Sequence, residues 1–129
     1  MDPSLSPTLA QLVARAEGDP DVLAVMLFGS QARGDATAAS DVDVCLVAAT
    51  APSNEDATRL RLAYLSAFDL DVAVFQHVPL HVRTRILKEG RVLFVRDEDA
   101  LYALAIRTVR AWEDFRHIHR LYLEEVARG

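Results

Sequence analysis

Apolar positions recur along this chain first at helical and then at strand spacing, and the switches between the two periods lay out its elements. Leu9, Leu12, Val13 and Ala16 follow Pro7 and Thr8 at i, i+3, i+4 and i+7, and Gly18 stops the run. A short helix therefore opens the fold. Asp19-Pro20-Asp21 is turn chemistry, and Val22 to Phe28 is an unbroken, β-branched-rich apolar run of strand length. Such a run predicts a strand buried on both faces. Gly29-Ser30 ends it, Ser30 to Arg33 predicts a single helical turn, and Gly34-Asp35 with the small residues through Ser40 predicts a loop.

Asp41 to Val47 reads as a second strand, with Asp41 and Asp43 on one face and valines on the other. Ala51-Pro52-Ser53 then breaks the chain, Ser53 and Asp56 resemble a capping pair, and Ala57, Leu60, Tyr64 and Ala67 have helical spacing. Leu70 to Phe75 predicts a third strand with Asp71 near its start. Pro79 begins a helix whose apolar positions Leu80, Val82, Ile86 and Leu87 lead to Gly90 as a C′ residue, and Arg91 to Val95 is a last short strand. From Asp97 to Arg128 neither proline nor glycine intervenes. Unbroken, that segment is a helix of roughly 45 Å.

The order of elements predicts an α+β (α/β layered) fold, a small mixed sheet with flanking helices, and no repeat or internal boundary suggests more than one domain. The expected domain is 1–129, with 97–128 as its C-terminal helix. Along that helix Ala105, Val109, Trp112, Phe115, His119, Tyr122 and Val126 form one stripe. Its near part suits the domain's own sheet; its distal part, longer than short strands need, suits a partner or a second copy.

With 51% hydrophobic and 26% charged residues in 129, the chain has the balance of a globular domain with a real core. Fourteen basic residues against nineteen acidic ones give a formal charge of −5, which argues against broad electrostatic binding to nucleic acid. Cys45 is the only cysteine, so no internal disulfide forms and a thiolate-rich zinc site is excluded. A buried core role suits it better than chemistry. His117 and His119, two apart on a helix, point to different faces and make no ligand set. Met1-Asp2-Pro3-Ser4 has an acid and a proline where a secretory signal carries basic residues, and no apolar run approaches a membrane span. The expected compartment is the cytoplasm, without membrane contact.

Chemistry concentrates in two places. Gly29-Ser30 at a strand end lets backbone approach a phosphate closely, and Asp41 and Asp43, at i and i+2, project from one strand face and can share metal ions. Two like charges on one face of an apolar strand cost free energy unless cations or hydrogen bonds offset it. Asp71, again opening an apolar strand, supplies a third carboxylate if the two strands are neighbours; Asp69 is the competing candidate. Together these residues point to a nucleotide and magnesium.

Gly29-Ser30-Gln31-Ala32-Arg33-Gly34-Asp35, then Ser40-Asp41-Val42-Asp43, then Leu70-Asp71-Val72 resembles the minimal nucleotidyltransferase antitoxins of the DNA polymerase β-like superfamily. Pro79 through Gly90-Arg91-Val92-Leu93 and Trp112-Glu113-Asp114-Phe115 extend the likeness over nearly the whole chain, with Gln76-His77 standing where the family often has asparagine. The resemblance implies a polymerase β-like palm fold and an enzyme that transfers AMP from ATP to a hydroxyl, with pyrophosphate leaving. In antitoxin-type members the acceptor is a tyrosine of a HEPN-family ribonuclease toxin, which becomes the implied partner.

Asp41, Asp43 and Asp71 would be the catalytic, metal-binding set for two Mg2+ ions roughly 3.5–4 Å apart. Gly29, Ser30 and Arg33 would bind the nucleotide: Ser30 through its hydroxyl and N–H, and Arg33 on the β or γ phosphate. Asp35 would brace the loop. Two other readings share these residues: an antitoxin acting by occlusion alone, and an aminoglycoside-type transferase, whose usual acceptor-binding domain 129 residues leave no room for.

Overall fold

The computed structural model describes residues 6–29 and 43–128. Ser30, Arg33, Asp35 and Asp41, with the expected helical turn and loop, lie outside these described residues. Helix α1 (Pro7–Glu17) begins where Ser6 accepts a hydrogen bond from the Leu9 N–H and Pro7 takes the first turn, the position where a missing N–H costs nothing. Strand β1 (Val22–Phe28) follows, and β2 is Asp43–Ala48. Helix α2 (Asn54–Leu65) is capped by Ser53, whose Oγ accepts from the Asp56 N–H. It ends at Leu65, so Ala67 lies beyond it. Strand β3 (Asp71–Val74) passes into a 3-10 turn, Phe75–His77. Helix α3 (Leu80–Glu89), strand β4 (Arg91–Val95) and the 31-residue helix α4 (Glu98–Arg128) complete the described chain.

The strands form one mixed sheet in the order β3-β2-β1-β4, with β1 antiparallel to both β2 and β4, and β2 parallel to β3. Central β1 is buried on both faces, as its unbroken apolar run predicts. One layer packs Leu9, Leu12, Val13 and Ala16 of α1 and Tyr64 of α2 on Val25, Leu27, Val44, Leu46 and Val72. The other packs Ile86 of α3 and, at its margin, Leu101 and Leu104 of α4 on Met26, Cys45, Val47 and Phe75. Helices thus cover both faces and leave the ends of the sheet for chemistry.

Three tethers hold the layers in register. Arg96, just past β4, donates to the carbonyls of Ala16 and Glu17 at the end of α1, Asp19 in the turn and Val22 at the start of β1. Tyr64 donates its hydroxyl to Asp19 at 2.9 Å while the Arg15 guanidinium lies 4.6 Å from the Tyr64 ring centre. Gln76 matches the peptide of Ala48 with two 3.0 Å bonds, accepting from its N–H and donating to its carbonyl. In effect Gln76 extends the β2–β3 pairing past the end of β3.

Gly90 differs from the C′ expectation. Its φ of −73° and ψ of 161° are extended, not left-handed. Glycine fits there for space instead: a Cβ would strike the Ile86 carbonyl and stand 3.2 Å from the Met26 side chain.

Candidate active site

Cross-strand register builds the site. Phe28 pairs with Asp43 across β1 and β2, and Asp43 pairs with Asp71 across β2 and β3. Directly paired residues project to one face, so Phe28, Asp43 and Asp71 form a row across three strands at one end of the sheet. Asp43 is half-buried and Asp71 exposed. Asp69 lies in the bend before β3. The register therefore brings Asp71, not Asp69, beside Asp43.

Gly29 follows Phe28 and turns the chain out of β1 with φ at 78°, a left-handed conformation that glycine adopts without steric cost. A Cβ at this position would run into the Asp43 carboxylate. Glycine is thus required here twice, for its dihedral and for the closeness of backbone to carboxylate. The same lack of a side chain would let a ligand approach the Gly29 peptide closely.

Two carboxylates side by side repel, and a bound cation offsets that repulsion. Their hard oxygen donors fit magnesium, which is commonly held by one or two carboxylates and completes its octahedral shell with water and substrate phosphates. Among the described residues no group of three or more His, Cys, Asp or Glu gathers, so a closed structural metal cage is not built there. A third carboxylate, Asp41, belongs to the segment outside the described residues.

The next row inward, Met26–Cys45–Ala73, is apolar in function. Cys45 is fully buried, and burial pushes its thiol up to about 12. It packs; it is no nucleophile. His119 stacks on Phe115 with ring centres 5.7 Å apart, far along α4, and His117 is exposed. Neither joins the aspartate row.

Beside Gly29 a cleft of about 160 Å³ opens between the end of β1 and α3, lined by Phe28, Gly29, Val82, Arg85, Ile86 and Glu89. The α3 residues are spaced i, i+3, i+4, i+7 and so share one helix face. Arg85 and Glu89 are absent from the sequence-derived candidates, because apolar periodicity selects only Val82 and Ile86. The signal available was the helical spacing of the two charges, each three residues after a member of that apolar pair.

Residues 10–99 match the family model described as "Polymerase beta, Nucleotidyltransferase". A Methanocaldococcus jannaschii protein named as a protein adenylyltransferase is 29% identical over 93 residues, covering 72% of this chain and 71% of that one. Among solved structures, a chain of a toxin–antitoxin crystallised with AMP-PNP superposes with a TM-score of 0.67 at 20% identity, covering 92% of this chain and 95% of that one. A chain from the complex of a tri-AMPylated Shewanella oneidensis HEPN toxin with its MNT antitoxin gives 0.61 at 18% identity, with 92% of each covered. At that identity the structural matches speak for the fold. The family match spans most of the chain and contains both the Gly29 turn and the aspartate row, and the chain belongs to the polymerase beta nucleotidyltransferase family, a family of enzymes.

Proposed function

We propose that this protein transfers AMP from ATP to a tyrosine hydroxyl of a HEPN-family toxin, in a magnesium-dependent reaction, and so acts as the antitoxin of that pair. The observation that carries the reading is the row Phe28–Asp43–Asp71 with Gly29 against the Asp43 carboxylate. Support for the acceptor comes from relatives, one named as a protein adenylyltransferase and another crystallised with an AMPylated HEPN toxin.

In the transfer, the acceptor oxygen attacks the α-phosphorus of ATP, the bond from that phosphorus to the bridging oxygen breaks, and pyrophosphate leaves. Asp43 and Asp71, with Asp41, would hold the magnesium, which supplies Lewis-acid stabilisation of the charge on attacking and leaving oxygens. Asp71, at the exposed end of the row, would receive the acceptor's proton. Gly29 and Ser30 would cradle the triphosphate, and Arg33 would meet the charge growing on the pyrophosphate. Among the described residues, Asp71 at the end of the row is exposed. This suits a protein-borne hydroxyl.

A second reading, neutralisation by occlusion, draws on α4. Phe115, Ile118, Leu121, Tyr122, Leu123 and Val126 are all at least half exposed. That surface suits a complex whether or not transfer occurs. Incubating the protein with ATP, magnesium and the product of its neighbouring gene, followed by intact-mass measurement of that product, separates the two. Addition of AMP supports transfer; a stable complex of unchanged mass supports occlusion.

A further inference from the structure

The Arg85 guanidinium, like that of Arg59, makes only exposed ion pairs on its own helix among the described residues, whereas other arginines are committed to backbone carbonyls. Arg61 donates to the Val72 carbonyl, Arg83 to the Val78 carbonyl, and Arg96 to four carbonyls. Among the described residues Arg85 has Glu89 as its partner, at 3.9 Å, with the arginine side chain 68% exposed. That distance is long for an ion pair, and an exposed pair is worth little in water. The order is also the weaker one, since the acid lies C-terminal to the base on the helix.

What Arg85 does share is the cleft beside Gly29. Phe28, the first member of the aspartate row, lines it on the sheet side, and Val82 and Ile86 line it from α3. An arginine on such a wall extends its stem along apolar surface and presents its planar fork at the mouth. The glycine turn lines the same cleft. Glu89, lining the same cleft, makes it unwelcoming to an anion unless the guanidinium meets that anion first.

We propose that Arg85 is a phosphate-binding residue for the nucleoside triphosphate, contacting it across the cleft from Gly29. This rests on the nucleotidyltransferase reading and adds to it a contact from α3, an element that carries none of the motif residues. Arg85 binds the phosphate chain and leaves the acceptor alone.

The test is calorimetric titration of wild type, Arg85→Gln and Arg85→Lys with a non-hydrolysable ATP analogue and magnesium, and separately with pyrophosphate. Arg85→Gln is expected to weaken both ligands by about tenfold, the loss of one charge-assisted contact. Arg85→Lys, a point charge without the fork, falls between. Because Arg85 is exposed, the melting temperature is expected to stay at the wild-type value. Wild-type affinity in Arg85→Gln overturns the proposal and leaves the nucleotidyltransferase reading intact, as does a loss for the ATP analogue with no loss for pyrophosphate. A wild-type protein that binds neither ligand overturns both.

Discussion

Asp43 and Asp71 place two negative charges directly opposite each other on adjacent strands, an arrangement that costs free energy which a bound cation would offset. Removing either charge should therefore lift this repulsion while disabling the chemistry. Asp43→Asn and Asp71→Asn are expected to lower transfer by at least about a hundredfold. For the exposed Asp71 the denaturant midpoint should stay level or rise. Asp69→Asn, outside the register, is expected to leave transfer within about twofold of wild type, since surface changes away from a site are usually mild. Gly29→Ala should cost about 1–3 kcal/mol by denaturation, because it forces a left-handed alanine against a carboxylate.

Alkaline pH offers a separate residue-scale test. Burial holds the Cys45 thiol neutral, raising its pKa from 9.0 to about 12, and Tyr64 is likewise raised, first by burial and then by its hydrogen bond to Asp19. A raised pKa in the folded state means stability that is complete below the unfolded value and lost as pH climbs toward the folded one. Unfolding free energy should thus fall with pH between 9.0 and about 12. In Cys45→Ala the slope across that window should be shallower, whatever the substitution costs in packing.

At the scale of elements, the long apolar runs and capping signals were legible in the sequence because local chemistry decides them. Pro7 opens α1, Ser53 caps α2 through Asp56, and β1 and β4 run as their apolar residues predict. The departures have tertiary causes. Phe75 leaves β3 for a 3-10 turn, and Gln76 then reaches across to the Ala48 peptide. Gly90 is there for the space beside Ile86 and Met26, which no local pattern announces. The site divides in the same way. Asp43 and Gly29 are readable as a motif, the choice of Asp71 over Asp69 needs the parallel register, and Arg85 appears only once α3 is laid beside β1. Arg96 was equally silent in sequence, though it binds four carbonyls from the end of α1 through the turn to the start of β1. Arg96→Ala is expected to destabilise the protein by about 2 kcal/mol or more, since it strips charge-assisted bonds from several acceptors at once.

The whole molecule is a layered domain with a helix that outruns it. In α4, Thr108 is the buried residue, and from Glu113 onward every described position is exposed. Trp112, Phe115 and His119 stack on one another along the stripe, with ring centres 5.6 and 5.7 Å apart. None of the described helices is long and apolar enough to cross a membrane, so the stripe is no membrane span. It is better suited to a protein surface. The double substitution Phe115→Glu with Tyr122→Glu is expected to leave the melting temperature within a few degrees and to abolish the complex with the partner in size-exclusion chromatography. Retention of the complex would place the interface elsewhere on the domain.

The central claim is that the aspartate row performs nucleotidyl transfer to a protein acceptor. Its most direct measurement follows label from ATP carrying a labelled α-phosphate onto the neighbouring-gene product, with wild type and Asp43→Asn assayed side by side in magnesium. Label on the acceptor with wild type, absent with Asp43→Asn, is the predicted result. Equal labelling by both proteins, or none by wild type while the two proteins form a stable complex, would contradict it.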